Sequence, residues 1–136
     1  KSNLIAAIGS VSGYMLQSTS SVSESECTPT HSIPLIKLHG TTDYYDGGGV
    51  YNSVESVINF WVNFNKTNTD PITNNIVDDG TSITSYKYEN GDNNVSVEHY
   101  KIIDGEHVWF SNDFNGKNTG QLIWDFVSKY DIDGLI

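Results

Sequence analysis

Residues 33–43 read IPLIKLHGTTD, and this stretch decides how the fold is predicted. Its first six residues form a short, mostly apolar run, which is typical of a strand that is covered on both faces. The next five turn polar through Gly40 and end at the carboxylate of Asp43. The stretch therefore predicts a buried strand whose C-terminal end delivers an acidic side chain to the edge of a sheet.

A second stretch much later in the chain has the same organisation. Residues 105–109 read GEHVW and follow a β-type run, so they predict a strand end and a polar loop that carries His107. An Asp and a later His, each just beyond the C-terminal end of a strand, have the order and placement of the last two members of an α/β-hydrolase triad. The nucleophile is missing, because the nearest match to Gly-x-Ser-x-Gly, residues 9–13, has Val11 at its centre.

The remaining chain is predicted to alternate strands with amphipathic helices. The continuous apolar run at residues 4–11 predicts another strand buried on both faces. Apolar residues at helical spacing predict a helix over residues 52–65, with Asn52 and Glu55 as its capping pair, and a second helix carrying Leu122 to Tyr130. Residues 81–88 and 95–103 predict a hairpin, and the polar segments 17–32, 66–80 and 104–118 predict loops.

These elements predict one domain, residues 1–136, of the α/β class. Alternating buried strands and helices favour a mostly parallel sheet with flanking helices, to which the hairpin is added. The order of Asp43 and His107 after strand ends resembles that of an α/β-hydrolase, and this resemblance implies a partial α/β-hydrolase fold that lacks the half with the nucleophile elbow. Ligands of such sheets bind beyond the C-terminal strand ends, where Asp43 and His107 are expected.

Composition excludes some classes of partner and cofactor. Seven basic residues against 17 acidic ones give a net charge of -10, which disfavours nucleic acid and anionic membranes. No apolar run reaches the roughly 18 residues of a membrane span. Cys27, the one cysteine, forms no internal disulfide, and His31 and His99 lack metal-ligand spacing. Residues 111–122 have calcium-loop offsets without the final Glu, so neither a metal nor another cofactor is predicted.

Six segments, taken in order, resemble the C-terminal half of the polyhydroxybutyrate-depolymerase-type esterases, which include feruloyl and acetyl-xylan esterase relatives. The segments are residues 6–13 (AAIGSVSG), residues 27–29 (CTP), residues 38–43 (LHGTTD), Trp61 with Asn65, His107 with Trp109, and residues 123–126 (IWDF). The chain departs from the family pattern at Phe110, where a Pro is usual, and at residues 65–68, where a Cys is usual.

The resemblance implies a carboxylic-ester hydrolase, of the serine esterase or polyester depolymerase type, that uses no cofactor and is secreted or periplasmic. It implies that Asp43 is the triad acid and His107 the base, with His39 and Trp109 supporting the site. The serine and the oxyanion hole would come from the N-terminal half of the enzyme or from a partner chain, so we expect this chain to be inactive alone.

Other interpretations remain open from the residues themselves. Asp43 is also a normal turn-forming residue, and His39 at a strand end is also a normal structural histidine. The chain would then be a stand-alone, non-catalytic α/β module that binds an ester or a saccharide. Under the hydrolase interpretation, the apolar strand at residues 4–11 would lack its usual neighbour and expose one edge, which predicts a homo-oligomer or another partner.

Overall fold

A five-stranded mixed sheet forms the centre of the structure, a computed structural model that describes residues 2–16 and 27–136. The strands are β1 (Ile8–Val11), β2 (Leu35–Gly40), β3 (Ile72–Asp78), β4 (Thr81–Tyr88) and β5 (Val97–Ile102). They lie in the order β1-β2-β5-β4-β3. The pairs β1–β2 and β2–β5 are parallel, whereas β5–β4 and β4–β3 are antiparallel.

Two α-helices cover the sheet, α1 (Val54–Asn65) and α2 (Thr119–Val127). Each begins at a side-chain cap, because the Ser53 hydroxyl accepts a hydrogen bond from the Ser56 amide and Asn118 does the same for Gln121. After α2 the chain forms a small hairpin of β6 (Tyr130–Asp131) and β7 (Gly134–Leu135). Short 3₁₀ segments occupy Ser2–Leu4 and Asp92–Asn94.

The predicted fold class is wrong. A partial α/β-hydrolase fold requires a mostly parallel sheet with flanking helices, but two of the four pairings in the described sheet are antiparallel, and strands outnumber helices. The error arises at residues 66–80, predicted as a loop, which contain β3. This edge strand buries only Ile76 and is held by its backbone pairing with β4, so it has no hydrophobic pattern from which to predict it.

The prediction that residues 4–11 form a strand buried on both faces is also wrong. Only Ile8–Val11 is a strand, and it lies at one edge of the sheet, where its residues are mostly half-buried. Leu4 is 74% exposed, so continuous hydrophobicity here does not reflect burial on both faces. The predicted start of the first helix is displaced by one residue, since Ser53 rather than Asn52 is the cap.

The strand predicted from residues 33–38 is confirmed as β2, whose six residues are all buried. Ile36 and Leu38 pack with the apolar face of α2, whereas Leu35 packs with α1. Side chains alternate along a strand, so Lys37 and His39 share the α1 side with Leu35. Strand β2 thus carries two polar side chains into a buried layer. Within the described ranges, no helix is long and apolar enough to cross a membrane.

Candidate active site

The site forms where two neighbouring parallel strands end. Strands β2 and β5 are paired as far as Gly40 and Ile102, and the two segments that follow them leave the sheet at the same edge. The Thr42 amide and hydroxyl both donate hydrogen bonds to the Gly105 carbonyl, at 3.0 and 2.9 Å. The Thr41 hydroxyl accepts one from the Asp104 amide at 2.8 Å. These bonds join the loop that carries Asp43 to the loop that carries His107.

Glycine is required where the two loops meet. A Cβ atom at Gly40 would lie 2.0 Å from the carbonyl oxygen of Gly105 and 2.2 Å from its carbonyl carbon. Both are backbone atoms that no rotamer change can move. The His-Gly and Gly-Glu-His segments of the sequence therefore contain glycine because the backbones touch there.

Asp43 and His107, the predicted acid and base, lie in direct contact. The Nδ1 atom of His107 is 3.0 Å from Oδ2 of Asp43. The Asp43 side chain is fully buried, whereas the His107 side chain is 51% exposed. An ionised carboxylate only accepts hydrogen bonds, so Nδ1 of His107 carries the proton and neutral His107 has its free lone pair on Nε2. This tautomer is the one a general base needs.

Asp43 remains ionised although it is buried. Burial raises the pKa of a carboxyl group, but hydrogen bonds from the Tyr14 hydroxyl, the Tyr45 amide and His107 favour the charged form. The Tyr45 amide lies 3.2 Å from Oδ1 of Asp43. The hydrogen bonds outweigh the burial, and the pKa of Asp43 lies below its usual value.

His39 donates a second imidazole hydrogen bond to the same carboxylate. Its Nε2 atom lies 2.9 Å from Oδ2 of Asp43 and 3.1 Å from the Tyr14 hydroxyl. Burial and the nearby charge of Lys37 lower the pKa of His39 to about 4, so the ring is neutral. Because Nε2 must carry the donated proton, Nδ1 is an unprotonated acceptor, and it is buried without a partner among the described residues.

Tyr14 is the central residue that the sequence did not reveal. Its ring stacks on the His107 imidazole, with the centroids 5.8 Å apart and the planes 6° apart, and its hydroxyl donates to Asp43. Tyr45 contacts His107 edge to face at 5.6 Å, and Tyr51 packs against Tyr14. Tyr14 follows β1, and no spacing or motif in the sequence links it to residues 43 or 107. Its place beside them is therefore visible only in the tertiary structure.

The turn that carries Tyr14 is held from two sides. The Ser12 hydroxyl donates to the Val108 carbonyl at 3.0 Å, although Ser12 has a left-handed backbone, with φ 51°. Lys37 is 1% exposed, and its ammonium group donates to the Gly13 carbonyl and the Ser10 hydroxyl. Burial lowers the pKa of Lys37 to about 8. Neither serine of residues 9–13 is therefore directed at His107 as a nucleophile.

We call Asp43 and His107 together the dyad. The structure brings one of the two residues that were predicted to support the site into contact with it. His39 is bonded to Asp43, whereas Trp109 is 65% exposed and lies on the outer part of the His107 loop. The Nε2 atom of His31 lies 3.0 Å from the Ile5 carbonyl oxygen. In the described part of the chain, no group of three His, Cys, Asp or Glu side chains could hold a metal ion.

Comparison with known proteins does not assign this chain to a family. No protein-family model matches it, and no curated protein matches it. The argument for function therefore depends on the geometry around Asp43 and His107.

Proposed function

We propose that Asp43 and His107 are the acid and the base of a carboxylic-ester hydrolase that uses a serine nucleophile. The observation that carries the proposal is the hydrogen bond from Nδ1 of His107 to the buried carboxylate of Asp43. It leaves Nε2 of His107 free on a half-exposed ring, and it holds a buried negative charge where an imidazolium would form. Both features are those of the acid–base half of a catalytic triad.

In the proposed reaction, Nε2 of His107 takes the proton from a serine hydroxyl as its oxygen attacks the ester carbonyl carbon. Asp43 stabilises the imidazolium without taking its proton. The imidazolium then gives the proton to the departing alcohol oxygen, and water releases the acyl group by the same steps. The sequence contains no Gly-x-Ser-x-Gly elbow, so the serine and the oxyanion-hole donors are proposed to belong to a further segment or a partner chain.

The test is hydrolysis of p-nitrophenyl butyrate by this chain and by the full translation product of its reading frame. We expect no turnover by the 136 residues alone and turnover by the full product. His107→Ala and Asp43→Asn should each lower kcat of the full product by about 10³-fold to 10⁴-fold, and His31→Ala should leave it unchanged.

Two results would contradict the proposal. A full product that keeps its activity after His107→Ala removes the esterase assignment, and an inactive full product removes the proposal that the serine lies in a further segment of the same polypeptide. A covalent adduct on this chain after treatment with a fluorophosphonate, blocked by His107→Ala, would instead place the nucleophile inside these residues.

A further inference from the structure

The hydrogen bond to Asp43 does not by itself set the plane of the His107 ring. Half of the His107 side chain is exposed, and the bond from Nδ1 to Oδ2 of Asp43 lets the imidazole tilt about the line that joins these two atoms. The χ2 angle of histidine has a broad, roughly two-fold distribution, so rotamer preference does not select one plane either. Other contacts must therefore fix the direction in which Nε2 points.

Two tyrosine rings contact the imidazole from different directions. Tyr14 lies parallel to the His107 ring, at an interplanar angle of 6°, whereas Tyr45 meets it nearly at a right angle, at 79°. The centroid distances, 5.8 and 5.6 Å, lie in the range that aromatic pairs favour. A contact on the face and a contact from the side together restrict both the tilt and the rotation of the ring. We call Tyr14 and Tyr45 the aromatic clamp.

Each residue of the aromatic clamp also binds the acid. The Tyr14 hydroxyl donates a hydrogen bond to the Asp43 carboxylate, and the Tyr45 backbone amide donates one to Oδ1 at 3.2 Å. Burial and the hydrogen bond to Asp43 raise the pKa of Tyr14, so its hydroxyl keeps its proton and stays a donor. Both tyrosines thus touch both members of the dyad, and they fix the acid and the base relative to one another.

The rings of the aromatic clamp support one another. Tyr14 and Tyr45 are in edge contact at 6.0 Å, and Tyr51 packs against both of them, at 5.0 and 5.8 Å. Tyr14 follows β1, Tyr45 and Tyr51 follow β2, and His107 follows β5. The segments after three neighbouring strands therefore meet at the base.

The stacked face of Tyr14 also suits a positively charged imidazole. The face of an aromatic ring carries negative potential and attracts a cation within about 6 Å of its centroid. His107 becomes a cation when it takes the serine proton in the proposed reaction. The contact is then stronger in the transition state than in the ground state, and such a contact raises kcat rather than lowering KM.

We propose that Tyr14 and Tyr45 are positioning residues of the dyad. Their rings fix the plane of the His107 imidazole, and the face of Tyr14 stabilises the imidazolium. The catalytic consequence rests on the proposed function, whereas the positioning is measurable without turnover. One aromatic pair of this kind shifts a conformational equilibrium by roughly 2-fold to 12-fold.

The positioning is tested by NMR on the 136-residue chain. Long-range ¹H–¹⁵N spectra at neutral pH give the ratio of the Nδ1–H to the Nε2–H tautomer of His107. Tyr14→Leu and Tyr45→Leu should each lower this ratio by about 2-fold to 12-fold, because a ring that leaves Asp43 no longer keeps its proton on Nδ1. Tyr14→Phe retains the ring and should restore most of the ratio. Tyr45 is 45% exposed, so Tyr45→Leu should fold even if Tyr14→Leu does not.

Tyr86→Leu is the matched control, because Tyr86 stacks on His99 at the same centroid distance of 5.8 Å. It should change the His99 signals and leave the His107 tautomer ratio unchanged. If Tyr45→Leu and a folded Tyr14→Leu also left that ratio unchanged, the positioning role would be overturned, whether or not the full product is an esterase.

Kinetics of the full translation product test the second role of Tyr14. Tyr14→Leu should lower kcat by about 2-fold to 30-fold with KM nearly unchanged, and Tyr14→Phe should recover most of the loss. A change confined to KM would overturn the imidazolium role. An inactive full product, together with the expected tautomer shifts, would support the positioning role and contradict only the proposed location of the serine.

Discussion

Replacing Gly40 by alanine tests whether contact between two backbones positions the dyad. The new Cβ would lie 2.0 Å from the Gly105 oxygen, whereas ordinary contacts of this kind are 3.4 Å or longer, so the loops must separate by more than 1 Å. That movement breaks both hydrogen bonds from Thr42 to the Gly105 carbonyl. Each contributes about 1 kcal/mol. Because the separated loops also lose packing contacts, we expect the free energy of unfolding to fall by about 2–4 kcal/mol in total.

Urea denaturation of the wild type and the variant measures this loss directly. Gly120→Ala is the matched control, because a Cβ there meets only the Asn118 side-chain oxygen, at 3.4 Å, within the first turn of α2. Helix propensity predicts that this control is stabilised by up to about 1 kcal/mol. In Gly40→Ala the Nδ1–H resonance of His107 should also lose its hydrogen-bonded shift. The reasoning would be refuted if the free energy of unfolding of Gly40→Ala lay within roughly 0.5 kcal/mol of the wild-type value, which is the error of such measurements, and the His107 resonance were unchanged.

Three further predictions concern the same network and its surroundings. Asp43→Asn should lower stability at pH 7 by about 1–3 kcal/mol. The pKa of Asp43 is depressed by folding, so its contribution is present above the unfolded pKa of about 4 and lost below it, and pH-dependent melting should show the two proteins converging in acid. Asn65→Ala should lower the free energy of unfolding, measured by urea denaturation, by about 2–4 kcal/mol, because the buried Asn65 side chain hydrogen-bonds to both the backbone N–H and the carbonyl of Ile33. The same change at the exposed Asn63 should lower it by less than about 0.5 kcal/mol. His107→Ala should change the melting temperature by less than about 3 °C, since half of its side chain is exposed; a larger fall would give His107 a mainly structural role.

Burial determines most of the elements that the sequence predicted well, and a turn sequence between two β-type runs indicates the remaining one, the hairpin. The apolar run at residues 33–38 corresponds to β2, and the apolar stripe of α1 packs on the sheet as its spacing requires. The hairpin of residues 81–88 with 95–103 is confirmed as the antiparallel pair β4–β5. Strand β3 was missed because pairing at an exposed edge needs no apolar residue pattern.

The candidate site divides in the same way. His39, Asp43 and His107 were found from the sequence because each stands at or just past a strand end, and parallel neighbours bring such ends together. Tyr14 and the aromatic clamp around His107 were not predicted. They depend on a turn after β1 and on the segment after β2, and no local spacing of residues in the sequence indicates that the two meet.

The sequence by itself therefore determined the buried strand β2, the two helices and the strand-end positions of Asp43 and His107, because hydrophobic periodicity and polar strand ends are local properties. Only the tertiary structure decided the mixed pairing of the sheet, the two imidazoles that share one carboxylate, and the stacking of Tyr14 on His107. Those features depend on which distant backbones pair and which side chains meet across them. Such choices minimise the free energy of the whole chain rather than of any one segment.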